Sequence, residues 1–271
     1  MVRHLLGRKG AARIALIPPE VREALNAGLV PTVNLNEFLA LDLPQLARAV
    51  ARQIGVDPDA ERLGDALAML AAFKPVKRHE HVARALYDLV EPRADRDAIA
   101  HALATHASDV ARCWATQWVL FSSLPLARKL DAVRRFAADP HFGVREMAWM
   151  AVRDEIAGDL ELTLTLLAPW VRDPDANIRR FASELTRPRG VWCAQIEPLK
   201  REPWRGLPLI EPLRADPSLY VRNSVANWLN DASKAQPDWV QDTCARWSRE
   251  SGSAHTAYIT RRALRSLPES G

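Results

Sequence analysis

Three stretches of the chain repeat one template: ADPHFGVREMAWMAVRD at 138–154, RDPDANIRRFASELTRP at 172–188 and ADPSLYVRNSVANWLND at 215–231. Each has Asp-Pro, a three-residue gap, then Val or Ile followed by Arg at the head of an apolar-periodic run. Pro disfavours helix in the residue before it, so it ends the preceding helix and sets a turn. The Val or Ile and the apolar residues three, four and seven positions on form one stripe of the next helix. The Arg beside that stripe is expected to point out of the stack. The Asp-Pro pairs start 34 and 43 residues apart, and a partial fourth copy, AYITRRALRSL, spans 257–267.

That spacing is the length of a helix–turn–helix unit of HEAT type. Such a unit cannot bury its apolar face alone, so units stack into a superhelix with an extended inner surface. Upstream, Leu41–Ile54, Asp59–Ala72, Glu80–Val90, Arg96–Thr105, Ser108–Phe121 and Leu126–Ala137 also place apolar residues three and four apart, and Pro19–Ala27 reads as a short helix with Pro in its first turn inside an otherwise extended lead-in. No stretch alternates with period two for long enough to make a strand. The expected fold is all-α, a HEAT-like helical-repeat solenoid with a concave basic groove. Residues 1–35 read as a basic arm and lead-in, and 36–271 as one repeat domain.

Charge distribution says more than the net +4. Residues 1–13 hold Arg3, Arg8, Lys9 and Arg13 and no acid, residues 14–170 sum to −4, and residues 171–271 to +4. Positive charge in the C-terminal third, where two clear repeats lie, fits an anionic partner. The arm could touch DNA, although its terminal position favours disorder. Cys113, Cys193 and Cys244 lie far apart with no ligand spacing, as in a reduced cytoplasmic protein. His79 and His81, or His101 and His106, do not match helical metal spacing, and no metal or other cofactor is expected. The basic first residues lack the apolar core of a signal peptide, and no apolar run could span a membrane.

In the template, Glu146, Arg180 and Asn223 fall two positions after the Val or Ile, and Met150, Glu184 and Asn227 six after it. Asp231 lies one further turn along. Stacked repeats would bring Glu146, Arg180, Glu184, Asn227 and Asp231 into one polar strip. Carboxylates in a basic groove repel phosphates, so they are better explained by a positive charge to be stabilised. The competing explanation is a solvated i,i+4 pair between Arg180 and Glu184. Trp192 and Trp228 fit core packing better than a stacking platform. Arg187 and Arg189, flanking Pro188, suit phosphate contact and plain exposure equally. There is no P-loop, GxGxxG, GxSxG or HExxH.

The run RRFASELTRPRGVW, then DPSLYVRNSVANWLNDASK and TAYITRRALR, resembles the AlkC/AlkD superfamily of HEAT-like repeat DNA glycosylases. The likeness is strongest from about Asp139 onward and fainter in IPPEVREALNAGLVPTVNLNEFLA. It points to the AlkC branch without the extra immunoglobulin-like domain that some of its members carry. The resemblance implies excision of positively charged N3- or N7-alkylated bases from duplex DNA without flipping the nucleotide. Glu184, Asp231, Arg180 and Trp192 match the branch's site positions, and Glu146 matches more loosely. Arg187, Arg189, Arg222, Asn227, Lys234 and Arg262 complete the expected DNA contacts. Some superfamily members bind branched DNA without excising bases, so a non-catalytic module binding DNA or protein is the alternative.

The chemistry is coherent. An alkylated purine is already a cation and leaves without a general acid, and the barrier lies in the oxocarbenium character of the sugar. A carboxylate near that sugar stabilises the charge, and the same or a second one orients water. Trp192 could hold the lesion by a cation–π contact. The partner expected is duplex DNA with alkylated bases, bound by a monomer.

Overall fold

Why these stretches become helices is visible at their ends. The computed structural model describes residues 2–156, 158–190 and 193–267, and among them every regular element is helical. The elements are α1 (Pro19–Asn26), α2 (Leu35–Leu39), α3 (Leu43–Gln53), α4 (Glu61–Ala68), α5 (Pro75–Val90), α6 (Arg96–Ala104) and α7 (Asp109–Phe121). They continue with α8 (Leu126–Ala137), α9 (Phe142–Ile156), α10 (Leu160–Leu167), α11 (Ala176–Leu185), α12 (Glu197–Arg201) and α13 (Leu207–Ile210). The last three are α14 (Leu219–Ser233), α15 (Pro237–Glu250) and α16 (Ala254–Ala263). Side-chain caps start several of them. Asn34 accepts from Glu37 N, Asp42 from Gln45 N, Asp159 from Leu162 N and Asp175 from Asn177 N. Gly28 and Gly55, at φ of 71° and 77°, close α1 and α3 in the left-handed conformation that glycine adopts freely.

The helical-repeat reading of the chain holds, with one helix that starts earlier than expected. α5 begins at Pro75 and not near Glu80, because proline fits the first turn of a helix.

The chain forms two compact units, residues 1–124 with 141–148, and residues 125–140 with 149–271. In the first unit, Leu5, Ile17, Val21, Ala24, Leu25 and Val30 bury one another, and α7 packs on α5 and α6. The basic arm is not a disordered tail around Arg8. The Arg8 guanidinium donates to Glu37 Oε1 at 3.0 Å, Leu5 O at 2.8 Å and Pro31 O at 2.7 Å, and Glu37 is 1% exposed. A buried carboxylate needs such a partner, and it is this need that ties the arm down.

In the second unit α11 packs on α14, which packs in turn on α15 and α16. Here the template Arg does something other than point outward. Arg179 Nη1 donates back to the carbonyls of Asp173 and Pro174 at 2.8 and 3.0 Å. Arg222 Nη1 does the same to Asp216 and Pro217, at 3.0 and 2.9 Å. The Arg thus satisfies carbonyls that proline's turn leaves without a helical partner. The template Asp serves the previous helix as well as its own turn. Asp216 accepts two bonds from Arg179 at 2.7 and 3.0 Å and one from Ser218 N, and Asp173 pairs with Arg134 of α8. The second and third copies are therefore tied by the Arg179–Asp216 pair, and the turn before α11 is tied to α8 by Asp173 and Arg134.

Arg179→Met is expected to strip Asp216, 6% exposed, of its cation and to lower unfolding free energy in urea by about 3–5 kcal/mol. Arg179→Lys should recover only part of this, since lysine has no planar fork.

Candidate active site

Glu184 and Asp231 are brought together in the second unit by helix packing and one arginine. Glu184 lies in the last turn of α11 and Asp231 near the end of α14, each 5% exposed. Arg187, just past α11, donates from Nη1 to Glu184 Oε1 at 2.7 Å and from Nε to Asp231 Oδ2 at 2.9 Å. Its Nη2 lies 2.8 Å from the same Asp231 oxygen. Sequence reading left Arg187 between phosphate contact and exposure; here it bridges the two carboxylates.

The second Glu184 oxygen, Oε2, accepts from Ser224 Oγ at 2.7 Å and lies 3.5 Å from Arg180 Nη2. Ser224 in turn accepts from Ser183 Oγ at 2.8 Å. Arg180 sits 4.2 Å over the ring of Tyr220. The Arg180–Glu184 pair is therefore not a solvated surface pair, since both residues are buried. Asp231 is less fully engaged. Among the described residues its Oδ1 accepts no hydrogen bond, and Lys234 Nζ stands 3.7 Å away.

These surroundings push the two acids in opposite directions. Burial acts to raise the Glu184 pKa, but Arg180, Arg187 and the Ser224 hydroxyl outweigh it and hold the carboxyl below its ordinary range. Burial raises Asp231, Arg187 and Lys234 offset only part of that, and the neighbouring Glu184 charge adds to the rise. Carboxylates whose environments pull their titrations apart suit different roles in one site.

Arg153 of α9 shapes the loop after α11. Its guanidinium, 2% exposed, donates to the carbonyls of Leu185, Arg187 (2.6 Å) and Ala194 (3.1 Å). Trp228 is core, as expected, fully buried with Nε1 donating to Thr186 O at 2.9 Å. Trp192 lies outside the described residues. Arg189 is half-buried, Lys234 and Arg262 are exposed, and Arg222 is held on its own turn. Asn227 accepts from Arg265 Nη2 at 3.0 Å. Glu146 belongs to the first unit, half-buried on a cavity of about 180 Å³ with Phe38, Asp109, His141 and Met147. Among the described residues no group of three or more His, Cys, Asp or Glu could hold a metal ion, and no helix is long and apolar enough to cross a membrane.

Sequence reading missed Ser224, Arg153 and Arg265. Ser224 carried a signal, a hydroxyl three residues after Val221 on the stripe expected to be apolar. Arg153 and Arg265 carried none, because the backbone carbonyls and the distant Asn227 that hold them come together only on folding.

No family model matches the sequence. The fold is that of AlkC/AlkD-like DNA glycosylases. The alkylpurine DNA glycosylase AlkC of Pseudomonas fluorescens, solved bound to DNA containing an abasic site analog, is similar at 29% identity and a TM-score of 0.68, over 82% of this chain and 62% of that one. AlkD2 of Streptococcus mutans is similar in fold, with a TM-score of 0.58 and 22% identity over 78% of this chain and 100% of that one. The uncharacterized protein YhaZ of Bacillus subtilis (strain 168) is 40% identical over 121 residues, 45% of this chain and 33% of YhaZ. The chain thus spans a third of YhaZ and less than two thirds of AlkC.

Arg187→Met is expected to leave both carboxylates buried without their shared cation and to cost about 3–5 kcal/mol of stability. Adding Glu184→Gln and Asp231→Asn should restore most of it. The pH dependence follows from the signs of the two shifts. Glu184, lowered on folding, contributes stability above the ordinary glutamate value of about 4.3, and that contribution fades as pH falls through its folded value. Wild type should therefore exceed Glu184→Gln in unfolding free energy at pH 7 and approach it in acid. Asp231, raised on folding, has the reverse sign: its protonated form adds stability that is lost as pH rises through its folded value, so Asp231→Asn should gain relative to wild type as pH rises.

Proposed function

We propose that the chain is a monofunctional DNA glycosylase that removes positively charged, N3- or N7-alkylated bases from duplex DNA. The observation that carries this reading is the Arg187 bridge, which fixes Glu184 and Asp231 at one place in a fold shared with AlkC. Glu184, held ionised by Arg180 and Arg187, stabilises the positive charge that develops on the deoxyribose as the base departs. Asp231 is the water-orienting group, because its pKa is raised and Oδ1 keeps its acceptor capacity. The leaving base is a cation in the ground state, so neither carboxylate needs to deliver a proton to it. Glu146 and Trp192 stay in this proposal as the residues the AlkC resemblance adds, the first as a third carboxylate and the second as the lesion's cation–π partner. Arg189, Arg222, Lys234 and Arg262 are the proposed contacts to the DNA backbone.

One observation favours the alternative, a repeat module that binds DNA without excision: the same Arg187 occupies an oxygen of each carboxylate, as a structural pair would. Release of bases from methylated duplex DNA, measured under single turnover, separates the two readings. The proposal predicts that wild type frees 3-methyladenine or 7-methylguanine, and that Glu184→Gln and Asp231→Asn each bind the duplex yet lose about 10²–10³ in rate. Wild type that binds but frees no base would establish the non-catalytic module instead.

A further inference from the structure

Arg265 follows α16 and is a guanidinium near the site that is positioned without an ion pair. Its Nη1 donates to the carbonyl of Arg262 at 2.6 Å and its Nη2 to Asn227 Oδ1 at 3.0 Å. It forms no ion pair with a carboxylate among the described residues. Three other arginines nearby are committed within the protein. Arg153 holds backbone carbonyls, Arg187 bridges the two acids, and Arg180 lies between Glu184 and Tyr220. Arg265 has used two of the five N–H donors of a guanidinium, and its side chain is exposed.

The electrostatics make that placement unfavourable for the protein by itself. Burial lowers the Arg265 pKa first, the Arg262 and Arg187 charges lower it further, and Asp231 opposes them. A cation aimed by two hydrogen bonds, beside other cations and within the field of Asp231, lacks an anion of its own. A planar fork with free donors matches the two oxygens of a phosphodiester. The same geometry accounts for Asn227, whose amide oxygen aims the fork.

We propose that Arg265 binds the DNA backbone phosphate adjoining the nucleotide whose sugar lies over Glu184 and Asp231, with Asn227 as its positioning residue. This rests on the DNA-facing reading of that carboxylate pair. Phosphate contacts set the register of a protein on a duplex without reading sequence, so Arg265 fixes where along the strand the carboxylates act.

The test is the salt dependence of binding to undamaged duplex DNA for wild type, Arg265→Gln and Arg249→Gln. Arg249 is an exposed residue of α15, and its substitution removes the same charge at another place. A lost phosphate contact reduces the slope of log K against log salt by about 0.9. Arg265→Gln should show that reduction and weaken binding alike on damaged and undamaged duplex, while Arg249→Gln keeps the wild-type slope. A slope unchanged in Arg265→Gln, or changed equally in both variants, overturns the assignment while leaving the glycosylase reading in place. Wild type with no salt-dependent duplex binding overturns the DNA-facing reading itself.

Discussion

Two carboxylates in the second unit sit almost wholly out of water, and one arginine makes that possible. Without Arg187 the negative charges of Glu184 and Asp231 would have to be neutralised by protons or drawn back to solvent. With it, both stay in fixed positions. Arg180, Ser224 and Ser183 complete the Glu184 side, leaving one oxygen of Asp231 less fully used. The asymmetry matters more than the pairing. A uniformly satisfied cluster would be only a clasp between α11 and α14, whereas this one leaves acceptor capacity at one point and keeps a firmly ionised carboxylate beside it.

The surrounding structure serves to hold that arrangement still. The Arg179–Asp216 pair joins α11 to the turn before α14, and the two helices from which the acids project pack on each other. Arg153 holds the carbonyls of Leu185, Arg187 and Ala194, and so sets the path of the backbone that carries the bridging arginine. Trp228 fills the core beneath and takes the Thr186 carbonyl. Preorganised charge is effective because nothing has to reorganise when the transition state forms, and each of these contacts removes a way for the carboxylates to move.

Much of this was legible in the chain before folding. The Asp-Pro template pointed to the helical repeats, and the phase of Arg180, Glu184 and Asp231 within it pointed to side chains that packing brings close together. Trp228 could be assigned to the core from the tendency of Trp to be buried in stacked helices, and it is fully buried. What could not be read was which charges meet. Arg187 stood between phosphate contact and plain exposure because its decisive partner is 44 positions away in sequence. The template Arg looked solvated because periodicity locates a side chain's face and is silent on backbone carbonyls within its reach. Arg8 looked like part of a free tail because nothing near it in sequence announces that Glu37 needs a cation.

The central claim is that Glu184 and Asp231 face the sugar of a nucleotide and stabilise positive charge there. The most direct measurement compares affinity for two duplexes, one carrying a cationic pyrrolidine sugar analogue and the other a neutral tetrahydrofuran at the same position. Transition-state analogues bind at least about 10²-fold tighter than ground-state ligands. The account predicts a preference of that order for the cationic sugar in wild type, much reduced in Glu184→Gln. Equal affinity for the two duplexes, or a preference that survives the substitution, would contradict it.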